Sequence, residues 1–307
     1  MRILLLLALA WCASAADWYL FTSFRSNGET GVFGALSQDG RKWTPIRGNQ
    51  PWIVPEHKGM LMRDPFLRRG QDGTWHLLWT WGWNRSETGG VLRIGYSSSK
   101  DLVTWTPQRE IPLMESEPTA RNAWAPEAVE HNGQWTIFWS TTIPGRFPDT
   151  ENTGDSGYNH RLYATTTRDW KSFTPAKLWF DCGFNCIDAT VVKDGNRHVM
   201  IFKDERRTPV KKNLRLAFSD SPTGPWTGIT EPFTQSWVEG PSAVRIGNEW
   251  WIYYDHYQKP RHYGAMRTRD WKTFEEMTKE LSFPEDHRHG TVVRLSEAEA
   301  KRLRDLK

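Results

Sequence analysis

The feature of this sequence that most constrains its fold is a short unit that recurs five times along the chain. Each copy has a strand end rich in Ser or Thr, a turn that carries Asp, and then Trp or Phe at the start of another strand. The copies lie at 37–46, 97–108, 165–176, 218–229 and 267–277. Recurrence at this spacing predicts a repeat architecture, in which each unit buries its apolar face against its neighbours.

A second unit alternates with the first and predicts a β-hairpin. It consists of an apolar strand, a turn containing Gly, and a strand rich in aromatic residues, and its copies lie at 64–82, 126–142, 188–204 and 240–257. Asp-Gly and Asn-Gly between alternating apolar runs are strong hairpin signals, because both turn residues tolerate a positive φ. Together the two units supply four antiparallel strands per repeat.

The fifth hairpin is divided between the two ends of the chain. Residues 289–296 form an inner strand without a partner, and residues 17–24 form an aromatic second strand without an inner strand. Pairing these segments closes a ring and removes the exposed sheet edge. The sequence therefore predicts an all-β protein, a five-bladed β-propeller that forms one domain over 16–307. A short C-terminal helix capped by Ser296 is expected to follow the last strand.

The first fifteen residues predict a targeting segment. Arg2 precedes the apolar run 3–11, and Ala13-Ser14-Ala15 has the pattern of a cleavage site, which indicates a signal peptide over 1–15 and a secreted or periplasmic protein. In a lipoprotein Cys12 would be the anchor, but Trp11 stands where that processing requires a small residue. No later stretch reaches the roughly 20 apolar residues that a membrane span requires.

Charge and cysteine content exclude some partners. The net charge is only +4, and the Lys and Arg residues do not cluster, so the chain lacks the cationic patch that nucleic acid binding requires. Cys182 and Cys186 lie on one short loop. An oxidising compartment favours a disulfide between them, with two free buried thiols as the alternative, and two sulfurs without a nearby pair of His make a poor zinc site.

Ionisable residues open the inner strands. Asp64, Glu127, Asp188, Glu239 and His289 are each followed by small or apolar residues. Because rotation about the axis relates the blades, we expect these five side chains to share one register and to form a ring at one mouth of the channel. Crowded carboxylates repel one another, which spreads their pKa values and allows one site to hold both a general acid and a general base.

The loops that return to this mouth are longer and more polar than the hairpins on the opposite side. Long ordered loops on a rigid scaffold commonly carry binding, so we expect them to surround the site. They lie at 23–31, 81–90, 141–160, 203–212 and 255–264.

At these motifs the sequence resembles glycoside hydrolase family 43, the five-bladed propeller glycosidases. The resemblance spans the mature chain and rests on the ordered motifs RDP at 63–65, WAPE at 124–127, IDA at 187–189 and EGP at 239–241. It implies that Asp64 is the general base, that Asp188 orients the acid and tunes its pKa, and that Glu239 is the general acid. Ala189, where Pro is commoner, and Glu127, where Asp is commoner, depart from the family pattern.

The chemistry expected of these carboxyls is hydrolysis with inversion. An inverting glycosidase places a protonated carboxyl and an ionised carboxylate about 6.5–9.5 Å apart, with a water between the carboxylate and the sugar. Asp64 and Glu239 stand on blades that can face each other across the funnel. We expect Asp188 to raise the pKa of Glu239 by like-charge repulsion.

Further residues are candidates for substrate binding. The tryptophans at 81, 83 and 124 could stack under a sugar, with core packing as the alternative for each. Arg63 could pair with a ring carboxylate or a sugar hydroxyl, and Glu127 could bind a substrate hydroxyl. His289 could hold a water or Ca²⁺ network in the channel, or cap its strand. One imidazole does not establish a calcium site, so no cofactor is required.

The function that these features favour is an exported exo-acting glycosidase. Its substrates would be oligo- or polysaccharides, from whose plant-type side chains it would release arabinofuranose, xylose or galactose. A sialidase is disfavoured, although SQDGRKWT at 37–44 resembles an Asp box, because that fold has six blades and its chemistry uses a Tyr nucleophile and an Arg triad. The alternative from another class is a propeller lectin that binds glycans without cleaving them.

Overall fold

The computed structural model describes residues 17–306 and confirms the five-bladed propeller. Five antiparallel sheets surround a central channel, and the inner strands of successive blades contact one another around the ring. The five hydrophobic clusters each join residues of more than one strand, and most lie between neighbouring blades. The predicted signal segment 1–15 lies outside the described residues.

Four blades are formed by consecutive segments, and in each of them the strands follow the chain from the channel outward. Blade 1 has Arg63–Arg69, Trp75–Thr80, Leu92–Ser99 and Arg109–Leu113. Blade 2 has Trp124–His131, Gln134–Thr142, His160–Thr167 and Lys177–Phe180. Blade 3 has Cys186–Asp194, Arg197–Asp204 and Asn213–Ser219. Blade 4 has Val238–Ile246, Glu249–His256, His262–Thr268 and Glu275–Glu276.

Blade 5 contains strands from both ends of the chain. Its strands are Val292–Leu295, His287–Arg288, Trp18–Arg25, Phe33–Ser37 and Thr44–Pro45. Short 3₁₀ turns lie in the connections, at Ile46–Asn49, Pro148–Thr150, Asp155–Gly157 and Thr278–Glu280.

Pairing of the two chain ends closes the ring, as the sequence predicts. Trp18–Arg25 pairs with both C-terminal strands of blade 5. The Thr22 hydroxyl donates to the carbonyl oxygen of Pro65 at 3.0 Å and accepts from the Thr291 amide at 3.1 Å. Because Pro65 belongs to blade 1, these buried bonds join the first blade to the last.

The recurring Asp of the sequence repeat has a local structural cause. Oδ1 of Asp39, Asp101, Asp169 and Asp270 accepts hydrogen bonds from the backbone amides two and three residues later, at 2.7–2.9 Å. Such Asx turns reverse the chain between strands. In the copy at 218–229 the equivalent position is Ser221, whose hydroxyl oxygen accepts from the Thr223 amide at 3.3 Å.

Blade 3 differs from the prediction of four strands. Its outer strand is reduced to one isolated bridge between Phe218 and Thr227. The segment that would pair contains Gly224 and Pro225. Proline has no amide hydrogen to donate to a ladder, and glycine is unfavourable in strands, so a regular edge strand does not form here.

The disulfide that the spacing of Cys182 and Cys186 favours is not formed in the structure. Both cysteines are free. The Cys182 thiol points to its own loop and donates to the carbonyl oxygen of Phe184 at 3.1 Å. Cys186 opens the inner strand of blade 3 and is buried in the core. The alternative of two free thiols is therefore the correct one in this structure.

The C-terminal helix forms as predicted. It spans Glu297–Arg304, and Ser296 and Glu299 form a reciprocal capping box at its start. Glu299 also accepts from the indole of Trp75 at 3.1 Å, which docks the helix on blade 1. No helix within residues 17–306 is long and apolar enough to cross a membrane.

We expect Thr22→Val to destabilise the closed ring by about 1–3 kcal/mol, because the buried Thr291 amide loses its side-chain acceptor while shape is conserved. The free energy of unfolding in urea measures this change. Thr44→Val, at an exposed position of the same sheet, is the matched control and should change stability little. Equal stability of the Thr22 variant and wild type would show that these bonds do not hold the ring closed.

Candidate active site

The inner strands of blades 1 to 4 all open with the same β-bulge, in which two residues face one residue of the next strand. The first residue of each bulge has a positive φ: 50° at Asp64, 48° at Ala125, 52° at Asp188 and 58° at Gly240. Bulges re-aim side chains, and non-glycine residues in this region are strained, as is common at functional sites. The strain thus marks this mouth of the channel in blades 1 to 3, and in blade 4 the position is occupied by glycine, which adopts a positive φ without strain.

The bulge corrects the prediction that five ionisable residues share one register. Asp64 and Asp188 occupy the bulge position, and His289 follows Arg288 in the same way in blade 5. Glu239 stands one residue before the bulge position of its blade, and Glu127 stands two residues after it. The predicted ring is therefore three stacked layers, because each step along a strand changes the direction of the side chain.

A cavity of about 540 Å³ lies above the bulges. All five residues that precede the bulge position line it, namely Arg63, Trp124, Ile187, Glu239 and Arg288. Four of the five predicted loops also contribute, through Trp83, Asn84, Glu87, Asp155, Ser156, Tyr158, Lys203, Glu205, Lys212 and Tyr257. The volume is in the range typical of small-molecule sites.

Aromatic rings form one wall of the cavity. The Trp124 ring lies 5.5 Å from the Trp83 ring and 4.9 Å from the rings of Tyr158 and His160. The Trp124 indole donates to the carbonyl oxygen of Trp83 at 2.6 Å. The structure thus brings Trp83 and Trp124 into the site, where their apolar faces can stack on a sugar.

Arg63 is held rigidly at the edge of this wall. Its guanidinium lies 4.0 Å from the Trp83 ring centre and 4.7 Å from that of Phe24. It donates to Oδ1 of Asn27 at 2.8 Å, and Asn27 belongs to the loop 23–31. This loop does not line the cavity and instead supports a residue that does.

His289 stands between two carboxylates at the floor. Its Nδ1 lies 3.4 Å from Oδ1 of Asp64 and 3.8 Å from Oδ2 of Asp188. Burial alone would lower the pKa of His289, but these carboxylates outweigh it and raise the pKa to about 9. A Cβ at Gly240 would lie 2.3 Å from the imidazole Cγ, so only glycine leaves room for the ring.

The two aspartates at the floor have opposite pKa shifts. Burial would raise the pKa of Asp64, but His289, Arg63 and the Thr80 hydroxyl outweigh it and hold that pKa below its ordinary value. Asp188 is raised to a pKa of about 6 by burial and by repulsion from Glu239 and Asp64, in spite of His289. Asp64 is therefore the ionised member of the pair, and Asp188 is the one that holds a proton more readily.

The expectation that Asp188 raises the pKa of Glu239 is wrong for this structure. Lys203 donates to Oε2 of Glu239 at 2.9 Å, and Arg288 donates to Oε1 at 2.9 Å. Burial would raise the pKa of Glu239, but Lys203 and Arg288, together with His289, outweigh burial and lower the pKa to about 2. In this structure Glu239 is a carboxylate with both oxygens in ion pairs.

Two predicted binding residues do not line the cavity. Trp81 is half-buried in the core between blades, where its ring lies 5.4 Å from the ring of His57. Glu127 lies deeper in the channel, is 6% exposed, and has Oε2 without a hydrogen-bond partner within the described part of the chain. Burial raises the pKa of Glu127 to about 8, so it is mostly protonated at neutral pH.

The calcium ion considered for the channel stays a prediction. Within residues 17–306, no group of three or more His, Cys, Asp or Glu side chains is arranged to hold a metal. His289 Nδ1 lies 3.4 Å from Oδ1 of Asp64 and 3.8 Å from Oδ2 of Asp188. Calcium requires six to eight oxygen ligands, more than these two carboxylates supply.

Several charged residues of the site were not predicted from the sequence. Lys203 and Glu205 lie at the end of the second strand of blade 3 and in the loop after it, and Arg288 precedes His289 as Arg63 precedes Asp64. The run of Lys, Asp and Glu directly after the apolar segment VMIF was a usable signal, because a lysine within a buried strand requires an ionic partner. Knowledge of the bulge register would have identified Arg288 too.

Comparison with known proteins connects this chain to carbohydrate-active enzymes. A family model described as "Probable glycosyl hydrolase domain", related to glycosyl hydrolase family 43, matches residues 15–301. An α-L-arabinofuranosidase of Bifidobacterium longum is 30% identical over 162 residues, which are 47% of this chain and 15% of that protein. The chain thus spans only a small part of this relative's length.

Solved structures of similar fold include three carbohydrate-active proteins. The exo-β-1,3-galactanase 1,3Gal43A of Clostridium thermocellum has a TM-score of 0.59 and 12% identity, with 86% of this chain and 59% of that chain covered. An endo-arabinase of Bacteroides thetaiotaomicron has a TM-score of 0.56 and 14% identity, with 76% and 93% covered. An α-L-arabinofuranosidase of Lactobacillus brevis has a TM-score of 0.53 and 17% identity, with 70% and 72% covered. These similarities show the fold alone.

We expect the stabilisation contributed by His289 to depend on pH. Its pKa is about 9 in the folded protein and about 6.5 when unfolded. The contribution is therefore full below about pH 6.5 and is lost as the pH rises through about 9. His289→Gln should cost about 3 kcal/mol near pH 6 and progressively less toward pH 9.5, measured by urea unfolding at each pH.

His131→Gln removes an exposed imidazole at a hairpin on the opposite side of the propeller and serves as the control. The free energy of unfolding of this variant should differ little from that of wild type at every pH. A cost for His289→Gln that is the same at both ends of the pH range would contradict an imidazolium between the two aspartates.

Proposed function

The chain belongs to the glycosyl hydrolase domains related to glycoside hydrolase family 43, and from this membership we propose that it hydrolyses O-glycosidic bonds with inversion at the anomeric carbon. The observation that carries the proposal is that Asp64, Asp188 and Glu239 meet at the floor of one cavity with an aromatic wall. Carboxyls in different environments are what acid and base catalysis at one bond requires.

Asp64 is the proposed general base. Its carboxylate accepts from Thr80 at 2.8 Å and faces His289, and both partners favour its ionised form. A carboxylate that stays ionised can take a proton from the water that attacks the anomeric carbon. The proton passes from Asp64 to solvent when the product leaves.

Glu239 is the proposed general acid, which gives a proton to the oxygen of the departing sugar. Lys203 and Arg288 hold it as a carboxylate in the ligand-free site. A sugar in the cavity displaces water, and this desolvation favours the neutral form of a carboxyl. Asp188 accepts from the Gly240 amide at 3.1 Å, next to the acid, and so helps to position the chain that carries Glu239.

The proposed substrate is a side chain of a plant-type polysaccharide, from which one terminal arabinofuranose, xylose or galactose is released. Exo action is supported by the loop at 141–160, whose residues Asp155, Ser156 and Tyr158 stand at the edge of the cavity. Arg121 donates to the carbonyl oxygens of Ser156 and Gly157 at 3.4 and 3.0 Å, which keeps this loop in place. The proposed reaction needs no cofactor.

We also propose that the protein acts outside the cytoplasm, in the periplasm or the medium. The support is the sequence pattern of the segment 1–15, which joins a charge, an apolar run and a small-residue cleavage site. A polymeric substrate also requires an enzyme on the outer side of the membrane.

The reaction is tested by measuring monosaccharide release from arabinan, arabinoxylan and arabinogalactan. We expect wild type to release one sugar, and Asp64→Asn and Glu239→Gln each to reduce kcat/KM by about 10²–10⁴-fold, because each removes one proton-transfer group. On aryl glycosides with a good leaving group the Glu239 variant should lose less, since that leaving group needs little protonation. Proton NMR of the first product anomer measures inversion.

Glu127→Gln is the matched control, because this carboxyl lies below the cavity. It should retain activity within a few-fold of wild type. No release from any polymer by wild type, together with glycan binding that all variants retain, would contradict the hydrolase and leave the glycan-binding propeller. If the first anomer formed has the same configuration as the substrate, inversion is contradicted.

Cleavage of the leader is tested by expressing residues 1–307 in a bacterial host and analysing the cell fractions. We expect the mature protein outside the cytoplasm, with an intact mass that places its first residue at Ala16. A cytoplasmic protein that retains residues 1–15 would contradict export.

A further inference from the structure

The carboxylate of Glu239 belongs to a chain of alternating charges along one side of the cavity. Arg288 joins Asp255 to Glu239, and Lys203 joins Glu239 to Glu205, with N to O distances of 2.7–3.3 Å. Lys212 continues the chain from Glu205 to Asp155. A charge this deeply buried is stable only with a partner, so movement of one group requires its neighbour to accept it.

Lys203 is shared between two carboxylates. Its ammonium lies 2.7 Å from Oε2 of Glu205 and 2.9 Å from Oε2 of Glu239, and its side chain is 2% exposed. The ammonium also stands 4.5 Å from the ring centre of Tyr257. Glu205 therefore offers Lys203 a complete ionic partner when Glu239 no longer does.

The ion pairs of Glu239 with Lys203 and Arg288 conflict with acid catalysis unless one of them breaks. An ammonium ion that donates to a carboxylate oxygen stabilises the charged form and so disfavours the protonated form that acid catalysis requires. The other oxygen of Glu239 is occupied by Arg288. Glu239 therefore becomes an acid more easily once one cation withdraws. Each cation has a second carboxylate, Glu205 at 2.7 Å from Lys203 and Asp255 at 3.3 Å from Arg288, and the shorter contact favours the withdrawal of Lys203.

We propose that Lys203 is a positioning residue that controls when Glu239 becomes an acid. In the free site its ammonium holds Oε2 as a carboxylate. When sugar fills the cavity, the ammonium moves fully onto Glu205, and Oε2 takes one proton from solvent. That proton goes to the leaving-group oxygen as the glycosidic bond breaks, while the attacking water gives one proton to Asp64. The inference rests on the proposed function.

The electrostatic setting of Glu239 includes groups from every element around it. These groups are Lys203 and Arg288 in contact, and Asp188, Asp255, His289, Arg63, Tyr257 and Tyr263 beyond them. Only Lys203 changes partner in the proposal. The others keep their partners in the proposal, so the part of the coupling between binding and protonation that exceeds desolvation by the sugar belongs to Lys203 and Glu205.

The pH dependence of two kinetic constants tests this inference, because kcat/KM reports ionisation in the free enzyme and kcat reports ionisation in the complex. The substrate is whichever of arabinan, arabinoxylan and arabinogalactan wild type cleaves. Each constant falls on the basic side of its pH profile, which is called its basic limb. In wild type the basic limb of kcat should lie at higher pH than that of kcat/KM by about one unit or more. Lys203→Met should move the limb of kcat/KM upward until the two limbs coincide.

Glu205→Gln provides a variant that keeps the lysine. Without its second carboxylate, Lys203 stays on Glu239, so both basic limbs should move to lower pH and kcat at neutral pH should fall. Arg215→Met is the matched control, because it removes a buried cation of the same blade that pairs with Asp204 and does not line the cavity. Its two limbs should stay at the wild-type positions.

A measurement without turnover separates this inference from the proposed function. In ¹³C-glutamate-labelled protein, the signal lost in Glu239→Gln assigns that carboxyl, and its pKa is expected to rise by about one unit or more in Lys203→Met. An inactive wild type would overturn the proposed function. An active wild type in which Lys203→Met shifts neither the limbs nor the carboxyl pKa would overturn the role of Lys203 alone.

Discussion

The bulge at the start of each inner strand is the constraint on which the site depends. A regular strand would alternate its side chains strictly, so that neighbouring residues such as Arg63 and Asp64 would face opposite sides of the sheet. The two-for-one register with a positive φ instead turns both toward the channel mouth. Repetition of this bulge around a closed ring brings side chains from all five blades to one cavity. Closure matters for the same reason, because Thr22 and Thr291 hold the last blade against the first and keep the ring of bulges complete.

Charge compensation is the second requirement of this cavity. Its floor contains three carboxylates with unequal counter-charges: Glu239 has Lys203 and Arg288, whereas Asp64 and Asp188 share His289, which lies closer to Asp64. As a result Asp64 and Glu239 are both ionised in the ligand-free site, and the pKa of Asp188 is about 6. This does not yet divide the proposed base Asp64 from the proposed acid Glu239, so protonation of Glu239 requires a change in its ion pairs. In the proposed mechanism Lys203 supplies that change by moving onto Glu205.

Much of the fold could be predicted from the sequence, because its signals are local. The Asp of each repeat binds amides two and three residues later, so its meaning is contained in a few consecutive residues. The hairpin turns and the unpaired strands at 17–24 and 289–296 can likewise be predicted from consecutive residues. The exceptions are also local in cause but lack a distinct pattern: Pro225 removes an edge strand, and Cys182 turns its thiol to a carbonyl of its own loop. Asp64, Asp188, Glu239 and Trp124 were identified as site residues because each lies at the start of an inner strand, and Trp83 because it lies in the loop after the second strand of blade 1.

The sequence by itself determined the blade repeat, the closure of the ring and the mouth at which the site lies, since strand period, turn chemistry and repetition are properties of neighbouring residues. Only the tertiary structure decided the layer that each ionisable residue occupies and the sign of its pKa shift. Glu127 lies below the cavity because it stands two residues after the bulge position of its blade, and Trp81 is buried between blades. Lys203 and Arg288 reach Glu239 from other blades, 36 and 49 residues away along the chain. Coulomb energy depends on distance in space and on burial, and neither can be derived from the order of residues alone.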